Sequence, residues 1–481
     1  MSTVNKQSVR EEFDRLKSEF EKLSSDNKIT PEVATLFNGL MLLLNLLFAI
    51  FLEKKTKKTS NNSSIPPSQT QKDETSKSES KTNGKGKKEN SNKAANTRTV
   101  ETTEVIPVTC CGQCGESLKG VACKAIERRT LIDIIFEKKI QHMDAEIKEC
   151  PTCNTIVKGK FPEELKGPMQ YGNGIKAYVI QLLITQMISL NRVQKMLKTM
   201  IGRVISEATF LAYIIRLYIA LAPWEENAKN KLLKLKCINA DETSLRVDKK
   251  KHWIHVYSSN DITLKLLHKK RGKDAMEEFN IAPKYGGVLV HDCWSSYLSY
   301  KHCLHGLCGS HILRELTHAI ESNNYSWAKN LKKLLKEYCL KVSQTKDKKL
   351  SDEEYAKLQK RYRNILTRGG KELPEIPKPK KPKRGKIAKS DAHNLWERLK
   401  KYESAVLLFA KLSYVPFTNN RAERDLRMTK VKQKVSGCFR TEKYARAYCR
   451  ISSYLDTMAN KGINPMIAVQ MALSGEIYKT G

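Results

Sequence analysis

The chain has 481 residues and carries 87 Lys and Arg against 51 Asp and Glu, a formal net charge of +36 at pH 7. At about 150 residues per domain, this length excludes a peptide-sized module and predicts two to four domains with at least one large core. The excess of basic residues favours a polyanionic partner, either nucleic acid or an anionic membrane surface, with nucleic acid as the leading candidate.

The number of cysteines indicates whether the protein lies in a reducing or an oxidising compartment. The chain has 13 Cys, an odd number, and its N-terminus shows no apolar signal stretch led by Arg or Lys. Both features are typical of a reducing compartment in which thiols are free or bound to metal. We therefore predict a cytoplasmic protein, associated with the nucleoid if its partner is DNA.

Residues 1–55 are predicted to form a helical, coiled-coil oligomerisation segment. Apolar residues recur there at spacings of four and three, like the a/d seam of a short coiled coil; they are Val9, Phe13, Leu16, Phe20 and Leu23. A break at Thr30–Pro31 precedes the apolar stretch Leu36–Leu52. At 17 residues this stretch lies at the lower limit for crossing about 30 Å of hydrocarbon, so a membrane span stays an alternative, as does a monomeric helical hairpin.

A low-complexity segment follows at residues 56–103. It consists mainly of Ser, Asn, Lys, Thr and Gln with almost no apolar side chain. Such a composition cannot bury enough surface to fold, so we predict a disordered basic linker.

Two CxxC pairs mark the next segment, residues 104–165. Four thiolates suit a structural Zn²⁺, which takes tetrahedral sulfur or nitrogen ligands and stabilises a fold with little core of its own. The four cysteines are Cys111, Cys114, Cys150 and Cys153. The gap between the pairs is longer than usual, Cys110 or Cys123 could replace one ligand, and two reduced turns without metal are the alternative.

Residues 166–235 are predicted to be helical. Apolar residues recur at helical spacing from about Gly172 to Leu232, with polar breaks near Ser189 and between Gly202 and Ser206. Several short helices separated in this way resemble a helix-turn-helix-like DNA-binding region, with a generic helical core as the competing interpretation.

The sequence pattern changes from helical to β-prone from residue 234 onward. Short β-prone runs separated by turn residues predict a sheet, at residues 234–240, 253–258, 263–268 and 287–290. A charged helical pattern from His311 to about Arg368, a Lys/Pro-rich loop at residues 374–389 and further helices from Leu395 follow. The fold class is therefore α/β, with a helical insertion at about 312–395 inside a domain of residues 236–475.

Three carboxylates lie at element ends in this domain. Asp241 and Asp292 are expected to end strands, and Glu423 to lie near the start of a helix. Acids brought together at one sheet edge repel each other unless cations lie between them, and hard oxygen ligands suit Mg²⁺ or Mn²⁺. Spacing alone is a weak signal, because any one of these acids could be a turn residue. The neighbouring Glu242 should point to the opposite face from Asp241, since successive strand residues alternate.

The helix expected to carry Glu423 is also rich in basic residues, at spacings of three and four. These are Arg421, Arg424, Arg427, Lys430 and Lys434. Arginine binds phosphate in a bidentate manner, so we predict that this row holds the DNA backbone; a solvated helix face is the alternative.

A second group of potential ligands precedes the insertion, namely His302, Cys303, His305, Cys308 and His311. The spacing of Cys308 and His311 is suitable for a metal, but a second pair of the CxxC type is missing. We favour a structural role at the junction of sheet and insertion, with metal binding as the alternative.

Three sequence blocks resemble the signature blocks of transposases of the insertion sequence 66 family. They are ADETSLRV at residues 240–247, GVLVHD at 287–292 and NNRAERDLR at 419–427, and VKQKVSGCFRT at 431–441 extends the last block. The N-terminal helix, the linker, the cysteine pairs and the start of the insertion follow in family order. The apolar Leu36–Leu52 stretch and Cys293, where the family has a small residue, depart from the pattern.

The resemblance implies an RNase H-like catalytic core with a helical insertion, preceded by a zinc-finger-like region. It implies that Asp241, Asp292 and Glu423, here 51 and 131 positions apart, are the catalytic carboxylates. Their two-metal site would cut the terminal inverted repeats of an insertion sequence and transfer the strands to target DNA. It also implies a homo-oligomer and accessory proteins of the same element. A non-enzymatic zinc-finger DNA-binding regulator derived from a transposase, and a membrane-anchored protein, are the alternatives.

Overall fold

A computed structural model of the chain describes residues 102–132, 137–162, 167–374 and 389–476, with residues 165 and 376 and isolated residues between 15 and 41. Nearly all of the predicted linker, most of the Leu36–Leu52 stretch and most of the Lys/Pro-rich loop lie outside these residues. Within the described part, no helix has the length and apolar character needed to span a membrane.

The described N-terminal residues are helical on both sides of Thr30, between residues 15 and 23 and between residues 33 and 41. The rings of Phe20 and Phe37 stack with centroids 3.9 Å apart. The predicted seam residue Phe20 therefore packs against the second segment of the same chain, as in a helical hairpin. Self-association of this segment stays a prediction, because Val9 and Phe13 lie outside the described residues.

The two cysteine pairs lie in a small module with almost no core. Strands β1 (Ile147–Glu149) and β2 (Ile156–Lys158) form an antiparallel hairpin whose turn contains the Cys150–Cys153 pair. All residues of both strands are exposed, including Ile147 at 63% and Ile156 at 70%. Burial of apolar surface alone therefore contributes little to holding this module together.

Four helices precede the sheet: α1 (Asn173–Ile180), which continues as a π-helical turn to Thr185, α2 (Leu190–Ile201), α3 (Glu207–Ala220) and α4 (Ala222–Leu233). Helix α2 ends at Gly202, whose φ of 71° is the left-handed conformation that glycine adopts without strain. Helix α3 begins after Ser206, whose hydroxyl accepts the N–H of Thr209 as an N-cap. The predicted breaks near Ser189 and at 202–206 are therefore confirmed.

A five-stranded mixed sheet forms the centre of the molecule. Its strands are β3 (Cys237–Val247), β4 (Lys250–Ser258), β5 (Thr263–His268), β6 (Val288–His291) and β7 (Leu304–Leu307), in the spatial order β5-β4-β3-β6-β7. The first three strands form an antiparallel meander, while β6 runs parallel to β3, and β7 parallel to β6. Helix α5 (Lys273–Phe279) lies between β5 and β6 along the chain.

Helices follow β7 without another strand in the described residues. The insertion contributes α6 (Gly309–Asn323), α7 (Ser326–Gln344), α8 (Asp352–Glu372), α9 (Asp391–Lys401) and α10 (Glu403–Lys411). The chain then closes with α11 (Asn420–Ser436), α12 (Glu442–Asn460) and α13 (Pro465–Leu473). The predicted order of strands, insertion and closing helices is confirmed.

The sheet separates two hydrophobic cores. Strand β6 shows this most simply, because Leu289 packs into one core while Val288 and Val290 pack into the other. The first core also includes helices α1–α4, α12 and α13, and the second contains the insertion helices. Residues 173–233 thus share a core with the sheet, although residue 235 is the boundary predicted from sequence between a DNA-binding region and the catalytic domain.

Candidate active site

Asp241 lies in the middle of β3, opposite Val256 of β4. The prediction that it ends a strand was wrong, because β3 continues to Val247 and turns into β4 through Asp248 and Lys249, both at positive φ. Its parallel pairing with β6, however, stops at Asn239. Asp241 therefore lies just beyond the end of β6, where β3 no longer pairs with that strand.

Asp292 is the first residue after β6, as predicted. The last β3–β6 pair joins Asn239 to Val290, so Asp241 and Asp292 each lie two residues beyond it on neighbouring parallel strands. Oδ1 of Asp292 accepts the backbone N–H of Trp294 at 3.0 Å, which fixes the carboxylate as the chain leaves the sheet. Because the two strands are parallel and the acids lie equally far beyond their last pair, both carboxylates lie at the same edge of the sheet.

Glu423 lies in the first turn of α11, as predicted. Its neighbours come from the start of the insertion: His311 Nδ1 lies 3.5 Å from Oε1, Cys308 Sγ 3.8 Å from Oε1, and Arg314 Nη2 3.8 Å from Oε2. The Glu423 side chain is 28% exposed, so that it borders solvent while its first neighbours are more deeply buried. The helix N-terminus and the insertion together therefore position the third acid.

The three acids are close enough for their negative charges to repel one another. Burial raises the pKa of Asp241 well above its usual range, and the negative charges of Glu242, Asp292 and, to a smaller extent, Glu423 raise it further. Among the described residues, no Lys, Arg or His forms an ion pair with Asp241 or Asp292. A half-buried carboxylate repelled by its neighbours is stabilised by a cation between them, so this donor set fits Mg²⁺ or Mn²⁺.

The carboxylate of Glu242 is hydrogen-bonded to residues outside the triad. Its Oε1 accepts two hydrogen bonds from Arg271, at 2.6 and 2.8 Å, and its Oε2 accepts the hydroxyl of Tyr297 at 2.7 Å. The Arg271 guanidinium lies over the rings of Trp253 and Trp294, which holds it in place. Burial and the charge of Asp292 raise the pKa of Glu242 in spite of this pairing. Glu242 thus belongs to a structural network behind the sheet edge.

Sequence reasoning missed Asn419, which is 1% exposed. Its Oδ1 accepts Nδ2 of Asn239 at 2.8 Å, and its own Nδ2 donates to the carbonyl of Ala240 at 2.8 Å. Its backbone N–H donates to Sγ of Cys308 at 3.1 Å. Asn419 thereby ties the start of the helix carrying Glu423 to the strand carrying Asp241. Its place directly before the helix was the available signal.

The five basic residues of α11 do not lie on one side of the helix. Arg421 is directed inward, with Nε 3.3 Å from Asp425 Oδ2, and Lys430 donates to the carbonyl of Ser244 at 2.7 Å. Burial, and then the charge of Lys251, lowers the pKa of Lys430. The exposed ones are Arg424, Arg427 and Lys434. A spacing of three advances about 300° around a helix, so successive members of such a row drift around the axis.

A second basic surface lies on the insertion. A groove of about 500 Å³ between α6 and α7 is lined by four lysines, Lys329, Lys332, Lys333 and Lys336, together with Ile320, Glu337 and Leu340. Lys332 donates to the hydroxyl of Thr317 at 2.7 Å, which orients one ammonium group along the groove. Helix α2 likewise exposes Arg192, Lys195 and Lys198.

The four predicted zinc ligands form two similar turns. Gly115 N–H donates to the carbonyl of Cys111, and Asn154 N–H donates to the carbonyl of Cys150. Hydrogen bonds from backbone N–H groups of the same turns lower the pKa of the Cys111 and Cys150 thiols, so each turn favours a thiolate. No three of the four sulfurs lie within 4.8 Å of one another. Each cysteine pair thus forms a turn of its own, and a zinc ion shared by the two pairs stays a prediction.

The second His/Cys cluster divides into two parts. His302 is hydrogen-bonded to the carbonyl of Ala282, and His305 to the carbonyl of Tyr300 and to His291, so these side chains are structural. Cys303 is buried among them. Cys308 and His311 instead lie beside Glu423.

The matched residues of a known protein family include the site. A family model described as "Transposase IS66 family" matches residues 168–447 of the chain. The matched range includes Asp241, Asp292 and Glu423 and all helices of the insertion, whereas the two CxxC pairs lie outside it. No curated protein matches the chain.

Proposed function

With the matched model covering more than half of its length, the chain belongs to the transposase IS66 family, and on that premise we propose that Asp241, Asp292 and Glu423 cut and join DNA strands. The observation that carries the proposal is the convergence of three acids, two of them without a cationic partner among the described side chains. Divalent ions held there would activate the attacking hydroxyl or water and stabilise the leaving oxygen of an in-line phosphoryl transfer.

The sheet supports an RNase H-like core. An antiparallel meander of three strands is extended by two parallel strands on the side of its first strand, giving the order β5-β4-β3-β6-β7. In this arrangement the first acid comes from the central strand and the second from the end of its parallel neighbour. Glu423 arrives from a helix across the edge, so that the three carboxylates come from three different elements.

The chain's own residues provide rigidity around this edge. Asn419 fixes α11 relative to β3, and the Arg271–Glu242–Tyr297 network holds the other side of β3. Arg314, 3.8 Å from Glu423, is a cation at the site that could contact a scissile phosphate. Side chains locked in this way keep reacting groups in place at little entropic cost when the DNA arrives.

DNA is the partner that the family implies, and the exposed basic surfaces suggest where it lies. Arg424, Arg427 and Lys434 project from the helix that carries Glu423, so we place the backbone near the scissile bond along them. The lysine groove of the insertion and the exposed face of α2 would hold more distant phosphates. Contacts of this kind position the duplex and make its binding dependent on salt.

For the N-terminal module we propose one Zn²⁺ held by Cys111, Cys114, Cys150 and Cys153. The support is the thiolate-favouring geometry of both turns together with the exposed hairpin, which needs a cross-link to be stable. Binding would bring the two turns together, since metal binding and folding are coupled in small modules. This module would then contribute to recognition of the terminal inverted repeats.

A cleavage and strand-transfer assay tests the proposal. The purified chain is incubated with DNA carrying the flanking inverted repeats of the element in Mg²⁺, in Mn²⁺ and in EDTA, beside Glu423→Gln and Asp241→Asn. We expect metal-dependent 3′-end cleavage that both variants lose. Glu442→Gln is the matched control, because Glu442 also lies in the first turn of a helix but pairs with Arg446 away from the triad.

Normal cleavage by Asp241→Asn would contradict the assignment of the site. Binding without cleavage in either metal, also after accessory proteins of the element are added, would instead favour a non-enzymatic regulator.

A further inference from the structure

Cys308, His311 and Glu423 form a second potential metal site that shares an acid with the triad. One ligand atom of each lies within 4.8 Å of the other two, and among the described residues this is the only group of three such side chains. Cys308 directly precedes α6, His311 lies in the first turn of α6, and Glu423 in the first turn of α11. Two helix N-termini thus hold the three side chains together.

The distances suit a tetrahedral ion with mixed ligands. Oε1 of Glu423 is 3.5 Å from His311 Nδ1 and 3.8 Å from Cys308 Sγ. Bond lengths of about 2.0–2.3 Å to nitrogen, oxygen and sulfur around Zn²⁺ give ligand-to-ligand separations of about 3.3–3.6 Å. The two distances from Glu423 are thus close to those of a tetrahedral zinc site, and the third separation, between the ligand atoms of Cys308 and His311, is below 4.8 Å.

The ligand atoms of His311 and Cys308 are also available to bind a metal ion. Nδ1 of His311 is buried and makes no hydrogen bond in the described structure. Sγ of Cys308 is buried and accepts the backbone N–H of Asn419, a contact that supports a thiolate as well as a thiol. A cavity of about 160 Å³ borders Cys308, His311 and Asp292, which leaves room for a water molecule or Asp292 as the fourth ligand.

We propose that Cys308, His311 and Glu423 bind a thiophilic divalent cation of the zinc class. A thiolate, an imidazole and a carboxylate form the ligand set that zinc prefers over magnesium, and their charges neutralise the ion in a mostly buried place. On the proposed function, zinc here and magnesium at the triad compete for Glu423. Zinc would then inhibit strand cleavage, and magnesium in excess would relieve the inhibition.

Zinc stoichiometry of the full-length protein tests the site directly. Equilibrium dialysis against radioactive zinc counts the ions bound by the wild type, by Cys308→Ser and by Glu423→Gln. We expect each variant to bind one ion fewer than the wild type, whether or not the CxxC pairs hold another. Cys293→Ser is the matched control, since Cys293 borders the same cavity without belonging to the cluster, and it should keep the wild-type number.

Equal stoichiometry in the wild type and Cys308→Ser would overturn the proposal. A loss in Cys308→Ser with full binding by Glu423→Gln would overturn the role of Glu423 as a ligand, and with it the predicted competition. Both results are independent of DNA cleavage, so they stand apart from a failure of the proposed transposase activity.

The competition is measured in the cleavage assay at fixed Mg²⁺ with increasing zinc. Loss of even an outer-shell partner lowers metal affinity 10–100-fold, so we expect Cys308→Ser to need at least about tenfold more zinc for half-inhibition than the wild type. Inhibition at the same zinc concentration in both proteins, or inhibition that Mg²⁺ does not relieve, would contradict competition at Glu423.

Discussion

The side-chain amides of Asn239 and Asn419 are hydrogen-bonded to each other, with 2.8 Å between Nδ2 of Asn239 and Oδ1 of Asn419. They are 180 positions apart in sequence, and both are buried. Nδ2 of Asn419 also donates to the carbonyl of Ala240, the residue before Asp241. This pair therefore connects the strand of the first acid directly to the residue that precedes the helix of the third.

We predict that Asn419→Ala lowers cleavage and raises the Mg²⁺ concentration needed for half-maximal activity, because the start of α11 would lose its hydrogen bonds to β3. Each buried group left without a partner costs about 1–3 kcal/mol, so the free energy of unfolding should also fall. Urea denaturation and a Mg²⁺ titration of cleavage measure the two effects.

Tyr362→Phe is the control for simple destabilisation. It removes a buried hydrogen bond to the carbonyl of Leu399 inside the insertion. Its Mg²⁺ requirement should equal that of the wild type, and a similar shift in both variants would mean that Asn419 acts only through stability.

We predict that Asp241→Asn raises the melting temperature of the metal-free protein by about 2–4 °C, or about 1 kcal/mol, since it removes a half-buried charge facing other acids. The pKa of Asp241 is raised in the folded state, so the folded protein binds the proton more tightly than the unfolded chain. Its contribution to stability is therefore present at acidic pH and is lost as pH rises through the raised pKa. Mg²⁺ should stabilise the wild type at neutral pH and have little effect on the variant.

Thermal unfolding in EDTA and in Mg²⁺ measures this difference. Asp274→Asn is the control, because Asp274 is exposed and Lys270, hydrogen-bonded to it, lowers its pKa. Asp274→Asn should not raise the melting temperature in EDTA. An equal rise in both variants would mean that removal of any carboxylate stabilises the protein, whatever its position.

We predict that replacing Lys332, Lys333 and Lys336 by Gln weakens DNA binding while leaving the Mg²⁺ requirement for cleavage unchanged. If all three contact phosphates, the slope of log affinity against log salt should fall by about 2.7, at about 0.9 per contact. Fluorescence anisotropy with duplex DNA at several salt concentrations measures the slope.

Lys346, Lys349 and Lys357, changed together to Gln, form the charge-matched control. They are exposed on the same insertion and do not line the groove. An equal decrease in slope for both triple variants would show that net charge, rather than the groove, determines affinity.

We predict that Asp456→Asn destabilises the protein by about 2 kcal/mol. Lys265 is 1% exposed and its Nζ lies 2.5 Å from Asp456 Oδ2, so the variant leaves a buried ammonium without its counter-charge. Breaking a fully buried pair costs about 3–5 kcal/mol, and the 43% exposure of Asp456 reduces this. Glu337→Gln, which breaks the exposed pair with Arg361, should cost less than about 1 kcal/mol in the same urea denaturation. Equal losses would contradict the importance of burial.

Sequence periodicity and turn residues predicted much of the fold. Strand β5 was predicted at its observed bounds, and the position of Glu423 in a first helical turn is confirmed. The end of β3 was missed because Asp248–Lys249 is an unusual two-residue hairpin turn, lacking the glycine that usually marks one. Strand β7 has only four residues, and its His305 was interpreted as part of a ligand cluster.

The site was predicted less completely than the fold. Individual acids can be found from local patterns, but their partners depend on tertiary packing. Nothing local to Asn419 indicates that it meets Asn239. The spacing of Cys308 and His311 marks them as possible ligands, but it does not show that they lie beside Glu423 while His302 and His305 bond to backbone carbonyls. The spacing of Arg421 and Lys430 likewise cannot show that both point inward.

The core shared by helices α1–α4 and the central sheet has a consequence for how such a protein can change over time. Phe210 and Leu217 of α3 are completely buried together with residues of β3, β4 and α12. A recombination event that separated residues 236–475 from α1–α4 would expose this surface, and the hybrid would be prone to aggregate. Residues 173–233 are thus expected to stay with the sheet, and their surface to change through point substitutions on exposed helix faces, such as that of α2, and not through exchange of the four helices as a unit.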